Sequence, residues 1–284
     1  MNSSSLLFAA FLTLALPNSC FAVDTIKLLQ PPPEIDTRVA YKNELIQLVL
    51  EQTKDEFGEY TIEFVSSHMV RGRAMQELMK GAIINVFISP SDAILEKSTI
   101  CIRIPIRKGI LGYRLLLIHK QDEARFKAVD TADDLKLLVA GLQSEWSTTK
   151  IMADEGYNVL RVHNYESLFK MLNARRFDYI PRGVHEIYDE LEARSKDIDN
   201  LMVEPHIVLL MPLPTYTYVS PKEQRLAKRI ETGLKKIIAN GELDKLFNRY
   251  YADDITRANL SRRKVIEIKT PFTDHYVPQM LRVH

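Results

Sequence analysis

The sequence predicts an α/β chain of two lobes, each a mostly parallel sheet flanked by helices, joined by two hinge crossings. Three observations predict it. Strand-like and helix-like patterns alternate in two sets along the chain, with short joints between them. Two long apolar stretches, Ile100 to Ile118 and Ile207 to Val219, separate these sets and are broken by Pro105, Gly109, Gly112, Pro212 and Pro214. Hydrophobic residues make up 46% of the 284. That is enough for a chain of this length to bury a sizeable core.

The first segment is read as a cleaved export signal, residues 1–22. Leu6 to Leu16 carries no charge. As a helix at about 1.5 Å per residue it spans roughly 16 Å, half a bilayer core, which is too short for an ordinary anchor. Pro17 and Asn18 break it, and Cys20-Phe21-Ala22 offers small residues for a peptidase, so the mature chain is expected to begin at Val23-Asp24. Leu16-Pro17-Asn18-Ser19 is a poor lipoprotein box, which argues against a lipid anchor on Cys20. A buried N-terminal helix is the structural alternative. No later stretch reaches 18 uncharged apolar residues, so no transmembrane segment is expected in the mature chain.

The elements follow in order. Thr25–Leu29 is a short strand stopped by Pro31-Pro32-Pro33. Tyr41, Leu45, Leu48 and Val49 recur at helical spacing, and Tyr60 to Val65 alternates as a half-buried strand. Ser67 can cap a helix whose apolar side carries Val70, Ala74, Met75, Leu78 and Met79; Ile83 to Ile88 is the next strand. The stretch Ile100 to Ile118 reads as two strands around a turn. In the second set, Thr131 and Asp134 form a capping-box-like start, followed by a strand at Leu138–Leu142 and a helix from Ser147 or Thr148. A strand at Val159–Val162, a helix capped by Asn164, and a strand at Phe177–Ile180 complete it. The helix His185 to Ser195 points Ile187, Tyr188 and Leu191 inward and presents Glu186, Asp189, Glu190 and Glu192 as a solvated face. Ser220-Pro221-Lys222-Glu223 has the composition of a capping box opening a long helix, and Glu242 to Tyr251 is a last amphipathic one.

Charge and cysteine content exclude several function classes. With 38 basic against 37 acidic residues the net charge is +1, which leaves no electrostatic footprint for nucleic acid or anionic lipid. Once Cys20 departs with the signal, Cys101 stands alone and no internal disulfide can form. No G-x-S-x-G, phosphate-loop or H-E-x-x-H motif occurs, and the seven histidines show no metal-ligand spacing, so no cofactor or metal is expected.

Three segments carry a resemblance. Leu78-Met79-Lys80-Gly81-Ala82-Ile83-Ile84-Asn85-Val86 is similar to an "lxxGxiDv" strand, Tyr165 to Asp178 to an "lxxLxxGrvDa" segment, and Leu226 to Tyr251 to a closing "Lxxdgxxxxixxky" element. Together they resemble the bacterial extracellular solute-binding proteins of family 3, the amino-acid-binding branch of the type 2 periplasmic-binding fold, over residues 24–258. The resemblance implies one lobe from 24–113 plus 206–258, a second from 114–205, and a polar C-terminal tail at 259–284. It also implies a small-molecule ligand, a monomer, and a membrane permease or a sensor protein as partner.

The ligand positions depart from that family. Its members clamp an α-carboxylate with an arginine soon after the "Dv" strand. Here Ser89-Pro90-Ser91-Asp92-Ala93-Ile94-Leu95-Glu96 has none. They place an aspartate for the α-amine after the "vDa" strand, where this chain has Arg182. Losing both contacts argues against an ordinary free α-amino acid and for an anionic solute.

The candidate ligand residues are Ser67, His68, Ser89, Ser91, Arg107, Trp146, Ser147, Thr148 and Arg182. Ser147 and Thr148 lie at a strand-to-helix joint where N–H groups can hold an anion, with plain capping by Ser147 as the alternative. Trp146 either stacks on a ligand or packs in the core. Arg182 pairs either with an anionic ligand or with another side chain, and Arg107 either faces the cleft or is solvated. No catalytic residue is identified, although a dehydratase on this fold would use an acid or base such as Glu34, His68 or Glu186. The expected function is non-catalytic, cleft-closing binding of a small polar anion in the periplasm. A sensor or accessory module acting on a protein partner is the second reading and a dehydratase-like enzyme the third.

Overall fold

The computed structural model describes residues 23–30, 39–66, 69 and 71–273. The expected export signal, residues 1–22, lies outside them, as do Ser67 and His68. The first lobe is built from β1 (Asp24–Gln30), α1 (Val39–Glu51), α2 (Lys54–Phe57), β2 (Tyr60–Ser66), α3 (Arg71–Lys80), β3 (Val86–Pro90), α4 (Ala93–Ser98) and β4 (Ile100–Ile102). Tyr41, Leu45, Ile46 and Val49 of α1 form its buried stripe, as their spacing requires. The short α4 was not anticipated. Asp92 starts it, with one carboxylate oxygen accepting from the N–H groups of Ile94 (2.9 Å) and Leu95 (3.1 Å).

The second lobe contains β5 (Tyr113–His119), α5 (Glu123–Lys127), α6 (Ala132–Lys136), β6 (Val139–Gln143), α7 (Ser147–Asp154), β7 (Asn158–Val162), α8 (Tyr165–Asn173), β8 (Tyr179–Gly183), α9 (Val184–Arg194), β9 (Leu201–Val203) and β10 (Ile207–Leu210). The chain returns through β11 (Thr215–Val219), α10 (Gln224–Ala239) and α11 (Glu242–Ala258), and a last strand, β12 (Lys264–Glu267), follows.

The first sheet runs β2-β1-β3-β11-β4, with β11 antiparallel to both neighbours. The second runs β12-β10-β5-β8-β6-β7, with β9 also paired to β5. In it β6 is parallel to β7 and β8, while β5 is antiparallel to β8 and β10. Strand direction therefore puts the carboxyl ends of β1, β2 and β3 at the end of the first sheet where β11 enters from the hinge. Likewise the carboxyl ends of β6, β8 and β10 share the hinge end of the second sheet with the start of β5. Ligands in such sheets bind at these ends.

The two hinge crossings touch. The Met211 N–H donates to the Gly112 carbonyl at 2.8 Å, and the Ile106 N–H to that of Thr215 at 3.1 Å. A Cβ on Gly112 would lie 2.9 Å from the Met211 carbonyl oxygen, so this approach demands glycine. One apolar cluster continues through the hinge, from Ile26 and Val86 through Ile106, Ile110 and Tyr251 to Ile180 and Ile187. On the same side α9 packs against α11. The Tyr188 hydroxyl donates to the Arg257 carbonyl at 3.1 Å, and the Arg257 guanidinium lies 4.3 Å from the Tyr188 ring centre.

Three expectations need correction. Residues 206–210 were assigned to the first lobe, yet β10 pairs with β5 in the second sheet. Residues 259–284 were expected to be a polar tail, yet β12 pairs in parallel with β10 from Lys264 opposite Ile207 to Glu267 opposite Leu210. Beyond β12 the chain follows the second hinge crossing: Ile268 N–H donates to the Leu210 carbonyl (2.9 Å) and the Thr270 hydroxyl to the Pro212 carbonyl (2.7 Å). Arg263 anchors this strap, its Nε 2.7 Å from the Ala258 carbonyl and its Nη1 3.2 Å from that of Ile207. The strap makes a third connection between the lobes. Finally, the capping box at Ser220 does not form. Ser220 is buried against Gly81, and α10 starts at Gln224 without a side-chain cap.

Two predictions follow from this packing. Ile268 is 2% exposed, so Ile268→Ala should lower the unfolding free energy by about 2–4 kcal/mol in a urea titration. Asp254 on α11 is held at a pKa of about 6, first by burial and then by the charge of Asp189 on α9. The folded carboxyl thus keeps its proton between about pH 4 and 6 where the unfolded one releases it, and stability should fall as pH rises through that window. Because the site is half-buried and screened, Asp254→Asn should raise stability at pH 7 by only about 1 kcal/mol or less. It should also flatten the melting temperature between pH 4 and 6.

Candidate functional site

The hinge end of the first sheet holds a pocket of about 330 Å³. Its walls are Leu28 and Leu29 of β1, Val39, Lys42 and Asn43 of α1, Met69, Arg71 and Ala74 at the start of α3, and the β3 edge through Ser89 and Pro90. The apolar strand residues make the floor, and the amino-terminal turns of α1 and α3 supply the polar groups. Lys42 and Arg71 are its cations, and no acidic residue is among its described lining.

The stretch after β3 has no arginine, but Arg71 lies against it. It comes from α3 and reaches across the sheet end to β3. One amino group donates to the Ser89 hydroxyl oxygen, and the other lies 3.2 Å from the Asp92 carboxylate. Its side chain remains 35% exposed. Ser89 is buried beneath it, and Ser91 is buried with a hydroxyl that has no hydrogen-bond partner among the described residues. A search confined to the chain after β3 could not find Arg71. The signal was topological, because a helix that follows β2 in a parallel sheet begins at the edge where β3 ends.

The hinge end of the second sheet is organised differently. Arg182, the last side chain of β8 before Gly183, is only 8% exposed. Its Nε donates to Glu190 Oε2 at 2.6 Å and its Nη2 to Glu190 Oε1, while Nη2 also lies 3.2 Å from Glu186 Oε2. Its guanidinium sits 4.3 Å from the Trp146 ring centre and 5.9 Å from that of Tyr165. The Tyr165 hydroxyl donates to Glu190 Oε1 at 2.6 Å. Burial pulls the Arg182 pKa down and the two carboxylates more than restore it, so the group stays charged. Burial and Glu190 hold Tyr165 protonated. Glu186 additionally accepts from the Gly183 N–H (3.1 Å) and lies 3.5 Å from Arg114 Nη1.

Trp146 and Arg182 are therefore brought together. Ser147 and Thr148 begin α7 beside them, and the cap position belongs to Trp146, which makes no side-chain cap bond. Plain capping by Ser147 is thus not what its position records. The expected solvated face of α9 holds for Asp189 and Glu192, which are exposed, but Glu186 is buried and Glu190 nearly so, because both turn inward to Arg182. Arg107 joins neither wall and is not solvated. It is 4% exposed beneath α1 and α11, 5.7 Å from the Tyr41 ring centre and 6.0 Å from that of Tyr251. Cys101 is half-buried, and burial pushes its thiol up to about 11, so it remains an unreactive thiol.

Among the described residues no group of three or more histidine, cysteine, aspartate or glutamate side chains could hold a metal, and no helix is long and apolar enough to cross a membrane. No family model matches the chain, and no curated protein matches it. Solved structures do. An ancestral arginine-binding protein bound to glutamine is 15% identical, with a TM-score of 0.57 over 81% of this chain and 99% of its own. An arginine-specific periplasmic binding protein of Salmonella typhimurium is 14% identical, with a TM-score of 0.56 over 81% of this chain and 100% of its own. The ligand-binding core of GluR0 from Nostoc punctiforme, in complex with L-glutamate, is 14% identical, with a TM-score of 0.54 over 80% of this chain and 98% of its own.

The stack on Arg182 predicts a measurable cost of losing Trp146. Trp146→Ala should destabilise by about 2–3 kcal/mol and Trp146→Phe by about 1 kcal/mol, followed by circular dichroism in urea. The chain has the two-lobed fold shared by the amino-acid-binding periplasmic proteins of family 3.

Proposed function

We propose that this protein is a periplasmic solute-binding protein that holds a small polar anion in its cleft and does no chemistry on it. Arg71 carries the reading. A guanidinium that is fixed by Ser89, one-third exposed beside a pocket of about 330 Å³, and touched among the described residues by one carboxylate at 3.2 Å still has donors to offer a ligand anion. Pocket volume and apolar floor suit a solute of metabolite size. The fold neighbours support a binding role, since their ligands include arginine, glutamine and glutamate.

Glu186 supports the non-catalytic part. Of the groups a dehydratase could use, Glu34 and His68 lie outside the described residues, and Glu186 is held between Arg114 and Arg182 rather than left for a substrate. The apolar run at residues 6–16 supports delivery to the periplasm, where a permease or a sensor would be the partner of the loaded protein.

A thermal-shift panel of acidic, neutral and cationic metabolites tests the proposal. A dicarboxylate or another small anion at a hundred times its dissociation constant should add about 2.7 kcal/mol of stability. Arg71→Ala should weaken that binding by about 10–100-fold, and the recovered solute should be chemically unchanged. If no anion shifts the melt, or if Arg71→Ala binds as tightly as the parent, the anion reading fails.

A further inference from the structure

The groups around Arg182 have the chemistry of a receptor for a planar cation. Glu190 faces the guanidinium in bidentate geometry, Nε to Oε2 at 2.6 Å and Nη2 to Oε1, and Glu186 Oε2 lies 3.2 Å from Nη2. Trp146 stacks on it at 4.3 Å and Tyr165 closes another side at 5.9 Å, with its hydroxyl committed to Glu190 at 2.6 Å. These walls come from three helices: Trp146 at the start of α7, Tyr165 at the start of α8, and the two acids one turn apart on α9. An aromatic face plus a forked carboxylate is what a delocalised cation requires, and a compact ammonium satisfies it less well.

We propose that this is a guanidinium-binding box whose occupant is the chain's own Arg182, and that Arg182 is thereby a specificity-determining residue. By filling the box it denies the second-lobe wall of the cleft to cationic solutes and leaves binding to the anion-accepting first-lobe wall. The exclusion of cationic solutes rests on the proposed solute-binding function; the existence of the box does not.

The test is chemical rescue. Arg182→Gly should melt well below the parent, because Glu190 loses the cation it faces and Glu186 keeps Arg114 but loses Arg182. Methylguanidinium chloride at low millimolar concentration should then raise the melting temperature of the variant by about 3–6 °C, while methylammonium and sodium chloride do not. The parent should not respond to any of the three. L-Arginine should shift the variant selectively as well, and adding Glu190→Gln should abolish both shifts.

If Arg182→Gly does not fold alone, its recovery on dilution from urea should depend on methylguanidinium and not on methylammonium. Rescue that is equal with both cations, absent with both, or equally present in the parent overturns the proposal. None of these readouts needs an anionic ligand, so the box and the Arg71 pocket can fail separately.

Discussion

Four charged side chains packed together at the hinge end of the second sheet constrain the rest of the molecule. Arg114 begins β5, Arg182 ends β8, and Glu186 and Glu190 lie on α9, which leaves directly from β8. A buried ion cluster adds little net stability over apolar packing, yet any one partner left alone is strongly destabilising. The cluster therefore acts as a geometric lock. It sets the angle at which α9 leaves the sheet, and that angle decides how α9 meets α11. Through α11 the lock extends to the first lobe, since α11 also packs on α1 and α10 and then feeds the strap.

That strap changes what the hinge can do. Two crossings alone leave a soft axis about which lobes rotate. Here the chain crosses a third time, and Ile268 and Thr270 are bonded to the carbonyls of Leu210 and Pro212 on the second crossing itself. Bending the hinge strains those bonds and the apolar cluster that runs through Ile106, Ile110 and Tyr251. A rotation of the lobes that keeps the α9–α11 face packed leaves the side opposite that face to move.

Much of the fold was legible because its signals are local. The box at Thr131 and Asp134 forms, with Asp134 accepting from the Thr131 N–H at 2.9 Å, and Asn164 caps α8 through the Ser167 N–H at 3.0 Å. The same kind of signal failed at Ser220, because its hydroxyl accepts from the Lys222 N–H at 3.4 Å and its carbonyl from the Glu223 N–H at 3.0 Å in a turn that precedes α10. The acids of α9 read as solvated because periodicity counts charges without seeing Arg182 arrive from a different element. β12 was missed because Lys264, Val265 and Glu267 are exposed on an edge strand, where only Ile266 carries the burial signal. The site suffered most. Arg71 serves β3 from the helix after β2, and only strand order brings them together.

Arg71 and Arg182 show what sequence cannot carry about charge. Both stand at the hinge end of a sheet, Arg71 at the start of α3 and Arg182 near the end of β8. Arg71 keeps a third of its side chain exposed and, among the described residues, has one carboxylate at 3.2 Å. Arg182 is sealed by two carboxylates and two rings, and its fork is spent. The residue type is identical; the partners that tertiary packing delivers leave one guanidinium partly exposed and seal the other.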